Sequence, residues 1–109
     1  MDVDIDIHDV HLSRIKHDME VTYQMYIDED GYVHCSDRMM HDTNMTDRIL
    51  LALRMYGPLH SIQMYDLATP VTSSRNKRNC MVNSRLCKLK DRGMVRPMSP
   101  NMWRIAYDE

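Results

Sequence analysis

Residues 82–107 read VNSRLCKLKDRGMVRPMSPNMWRIAY, and the fold turns on how this stretch ends one element and begins the next. Val82, Leu86 and Leu89 recur at helical spacing, and Gly93 supplies the left-handed residue that closes a helix. Beyond it, the residues of Met94–Met98 and Met102–Tyr107 read as two short strands around a turn at Ser99-Pro100-Asn101.

Working upstream, Ser73 or Ser74 caps the same helix, which is expected to run to about Arg92. Before it, PLHSIQMYDLA predicts a short helix that opens at Pro58 and ends at Thr69-Pro70. An earlier helix starts at Asn44 or Thr46, carries Asp47 in its first turn and stops at Gly57-Pro58. Its stripe is Met45, Ile49, Leu53 and Tyr56, whereas Leu51 and Met55 point elsewhere. A helix apolar on two sides is covered on two sides, by the N-terminal strands or by a second protomer. Further upstream, DVDIDI at 2–7 has the period of a half-buried strand, and MEVTYQMYIDEDGYVHC at 19–35 reads as a hairpin turning at Asp30-Gly31.

The order helix, helix, helix, hairpin over residues 45–107 resembles the winged helix-turn-helix superfamily, most specifically in the helix end at Gly93 running into Met94-Val95 and then the strand with Trp103 and Ile105. The link from Leu67-Ala68 to Val82 is longer than the tight turn of the commonest members. The resemblance implies that the third helix enters the major groove of duplex DNA and that the hairpin, or wing, touches the backbone or minor groove beside it.

Charge points the same way. The 109 residues have net charge −2, yet residues 1–45 sum to −8 and residues 46–109 to +6. The third helix is the basic centre: residues 73–93 hold seven Lys or Arg against Asp91 alone. At 100° per residue from Val82, Lys77, Lys88, Arg92, Arg85 and Arg78 fall between about 220° and 320°, a cationic flank suited to a row of phosphates. No Glu is interleaved at i,i+4 spacing to pair these charges locally. Asn83, Ser84 and Arg85 lie beyond the helix midpoint and carry groups that match base edges. In the wing, Arg96, Asn101 and Arg104 surround the turn and are expected to reach phosphate.

Other chemistries find little footing. DEDG at 28–31 lacks the first and last carboxylates of a calcium loop. His8, His11, His17, Cys35 and His41 match no common zinc spacing, and three cysteines without C-x-x-C suggest no disulfide framework. No nucleophile elbow or Gly-rich phosphate loop occurs, so no enzyme activity and no cofactor are expected. The acidic start is unlike a signal peptide and no apolar run spans a bilayer, so a cytoplasmic protein without membrane contact is expected.

The expectation is therefore an α+β protein. An acidic β segment, 1–44, packs on or extends a winged helix domain, 45–109, with a C-terminal β-hairpin wing. It is expected to bind double-stranded DNA as a small transcriptional regulator and homodimer, with Leu51 and Met55 at the interface. The alternative is a protein-interaction module or DNA mimic that uses Asp2, Asp4 and Asp6, about 7 Å apart on one strand face, against a protein partner.

Overall fold

The computed structural model describes residues 24–106, and they form a mixed α+β fold with two small antiparallel sheets. The strand expected over 2–7, with its acidic face, lies outside the described residues, as does the start of the hairpin expected from 19.

Strands β1 (Met25–Ile27) and β2 (Val33–Cys35) pair antiparallel in the register Tyr26 to His34. Their turn is built on Asp28, whose carboxylate accepts from the backbone N–H of Asp30 and Tyr32, and on Gly31, whose φ of 90° an L side chain resists. Gly31 also meets the next layer, since its carbonyl accepts a 2.7 Å bond from Gln63 Nε2.

A helix that the sequence reading did not identify follows. Helix α1 (Asp37–Asp42) is capped by Ser36 and buries Met39. Helix α2 (Met45–Tyr56) is capped by Asn44, which accepts from Asp47 N–H, and it ends at Gly57 with φ 76°. Of its expected stripe, Ile49 and Leu53 are fully buried, while Met45 and Tyr56 pack at the core's margin.

Strand β3 (Leu59–His60) leads into a 3₁₀ helix (Ser61–Leu67), and the chain passes a cis Thr69–Pro70 bond before helix α3 (Arg75–Asp91). Ser74 caps α3 by accepting from Lys77 N–H. Its far end is a Schellman motif: Gly93 N–H reaches Lys90 O and Met94 N–H reaches Leu89 O, with Gly93 at φ 76°. Val82, Leu86 and Leu89 are buried, as their spacing predicts.

Strands β4 (Val95–Ser99) and β5 (Met102–Ile105) then form the C-terminal hairpin, turning at Asn101 with φ 66°. The sheet order is β3-β5-β4, which leaves Pro97 on an edge strand beside an irregularity in register. Trp103 and Ile105 face inward and Arg104 outward, the period of a one-sided sheet. Met25, Val33 and Met39 join residues of α2, α3 and the second sheet in one core cluster. The first hairpin and α1 are thus packed on the same apolar centre as the helices.

Candidate nucleic-acid interface

Helix α3 is held at its N-terminal half by a chain of charged groups. Arg78 donates to Asp66 Oδ1 at 2.9 Å and to the carbonyls of Asp66 and Ala68. The other oxygen of Asp66 lies 2.7 Å from His34 Nδ1, and His34 Nε2 lies 2.7 Å from Asp28 Oδ2. Carboxylates only accept, so a ring that donates to one on each side is an imidazolium. Burial of the ring lowers its pKa, but the hydrogen bonds and charges of Asp28 and Asp66 outweigh that and raise it.

This chain corrects one expectation. Arg78 is only 5% exposed and does not line the cationic flank. At about 320° it sits about 20° from Leu89 on the helical wheel, close enough to the core stripe for its guanidinium to turn inward onto the 3₁₀ helix. Arg75, one turn earlier and exposed, stacks between the rings of Tyr32 and Tyr65, 4.7 and 4.9 Å from their centroids.

The remaining flank faces outward. Lys77, Ser84, Lys88 and Arg92 are exposed and Arg85 is half-buried. Among the described residues no carboxylate forms an ion pair with Lys77, Arg85, Lys88 or Arg92; the carboxylate pairs fall instead to His34, Arg38, His41 and Arg78.

Lys77, Ser84, Arg85 and Lys88, with Cys80 and Met81, form one wall of an open groove of about 590 Å³. Thr43, Asn44, Met45, Arg48 and Thr69 form the rest. The structure therefore brings together four of the ten residues expected to touch DNA. Arg92 stands at the C-cap of α3, and Asn83 is half-buried outside the groove. Arg96 and Arg104 are direct cross-strand neighbours on the C-terminal hairpin, and Asn101 is exposed at its tip.

Arg48 is the groove residue that sequence reasoning missed. It is 1% exposed, and it donates through Nε to Leu67 O and through Nη1 to Met40 O and to the carbonyl and hydroxyl of Thr43. Burial pulls its guanidinium below the ordinary arginine value, and the positive charge of Arg78 acts in the same sense. Nothing in the helical pattern distinguishes it, because a cation just off the stripe of α2 reads as a solvated residue.

Among the described residues, no group of three His, Cys, Asp or Glu is placed to hold a metal ion, and no helix is long and apolar enough to cross a membrane. Cys80 and Cys87 are exposed and free on the outer side of α3. Comparison with protein-family models, with curated proteins and with solved structures finds no match.

Proposed function

We propose that the protein binds duplex DNA as a small winged helix-turn-helix regulator, with α3 in the major groove and the β4–β5 hairpin as the wing. The observation that carries this reading is the outward row Lys77, Arg85, Lys88 and Arg92, free of carboxylate partners among the described residues. Like charges crowded on one helix repel one another, and a polyanion relieves that repulsion. The architecture supports it: α2, the 3₁₀ helix and α3 precede a hairpin whose inner strand pairs with β3. The wing adds Arg96 opposite Arg104, a like-charged cross-strand pair that is unfavourable without an anion nearby.

The test is a titration of the full chain against random-sequence duplex at several salt concentrations. Four phosphate contacts give a log-log slope of about −3.6, at about −0.9 for each. Absence of binding at micromolar protein and low salt rejects the reading.

A further inference from the structure

The groove between α3 and the start of α2 holds an electrostatic imbalance of its own. Arg48, Lys77, Arg85 and Lys88 line it, and no Asp or Glu is among its walls. Three of these cations reach water, whereas Arg48 is 1% exposed. Its partners are all neutral: three carbonyls and one hydroxyl. Among the described residues it has no carboxylate within ion-pair distance. A cation taken out of water without a counter-ion loses hydration that carbonyl dipoles only partly replace. The two sides of the groove therefore share one deficit, and an anion seated between them corrects both.

We infer that this groove is a phosphate-binding site, with Arg48 on its floor and Lys77, Arg85 and Lys88 on its wall. The groove is open and, at about 590 Å³, has room for a phosphate with an adjoining sugar. Asn44 and Met45 at the rim place the start of the twelve-residue helix α2 at the same groove, where the partial positive charge of a helix N-terminus adds to the side chains. Asp47, the acid of that first turn, is exposed and does not line the groove. The site itself does not require DNA binding; the assignment of its phosphate to a duplex backbone rests on the function proposed above. The other source of the same chemistry is a free phosphate or phosphomonoester.

Inorganic phosphate titrated into the full chain at constant ionic strength, balanced with chloride, separates binding from screening. Amide shifts are expected to saturate over residues 44–48 and 77–88, and the saturable component is expected to vanish in Lys77→Gln combined with Lys88→Gln. Both lysines are exposed, so the double variant keeps its fold, which circular dichroism checks. Shifts that grow linearly and spread to Arg92 and Arg96, or that survive in the double variant, overturn the site. A duplex arm separates the sources. Phosphate that saturates the groove while duplex fails to bind keeps the site and rejects the DNA reading. Duplex that binds while residues 44–48 remain unmoved and phosphate fails to compete keeps the DNA reading and rejects the site.

Discussion

The arginines of this chain show how little residue type alone decides. Arg78 and Lys88 belong to the same helix and to the same run of charges, yet Arg78 is buried against Asp66 while Lys88 is exposed. Arg78→Ala strips Asp66 of one partner and leaves the Ala68 carbonyl without its donor, so a loss of about 2–3 kcal/mol is expected, Asp66 retaining His34. Lys88→Ala is expected to move stability by no more than about 0.5 kcal/mol and to weaken DNA binding on every sequence alike. Urea melts beside binding titrations distinguish the two; equal stability of the variants contradicts the buried role of Arg78. Helical spacing placed Lys77, Arg85, Lys88 and Arg92 on the outer face, where Lys77, Lys88 and Arg92 are exposed and Arg85 is half-buried. It failed at Arg78 because an arginine at the border of a stripe can turn either way, and the carboxylate that decides its direction comes from a different element, twelve residues upstream.

Between elements, the most telling contact is the first hairpin's grip on the 3₁₀ helix through His34. The ring joins Asp28, in the turn of its own hairpin, to Asp66, with Arg78 beyond; Tyr26 lies against it, 5.2 Å between centroids. Its pKa is raised above 6.5, so the folded chain holds the proton more tightly than the unfolded one. Stabilisation from this ring is therefore complete below about 6.5 and is lost as pH rises through the higher folded value. Asp28 has the opposite sign: its hydrogen bonds to His34 and to the Tyr32 backbone depress it below 3.8, so its contribution holds above 3.8 and disappears as pH falls through the depressed value. The hairpin is expected to dock most firmly between the two. Wild type should exceed His34→Gln in urea midpoint at pH 5.5, with the gap closing on the alkaline side; a constant gap contradicts the charged latch. The hairpin itself was legible from Asp30-Gly31, and α2 and α3 from their caps and stripes. Helix α1 and strand β3 were not: six residues and two residues carry too little periodicity to read, and each is fixed by what it packs or pairs with, Met39 in the core and Leu59 against Trp103.

Across the whole molecule, the same α2 that buries Ile49 and Leu53 leaves Met55 52% exposed, with Leu51 half-buried one turn earlier. Leu51 packs partly on the core, so Met55 is the cleaner probe of a second copy. A regulator that reads two half-sites about one helical turn apart needs two recognition helices, and the proposed self-association through this face would supply them. Light scattering is expected to show a dimer for wild type and a monomer for Met55→Glu. The substitution touches an exposed position and should leave the unfolding free energy of the monomer within about 0.5 kcal/mol. It is also expected to weaken binding to a duplex with two half-sites far more than binding to a single half-site, because only the former gains from tethered copies. A monomeric wild type, or a Met55→Glu protein that stays dimeric, removes this face from the interface; the second outcome directs attention to Val71, exposed in the turn before α3, and Met98, exposed on the C-terminal hairpin.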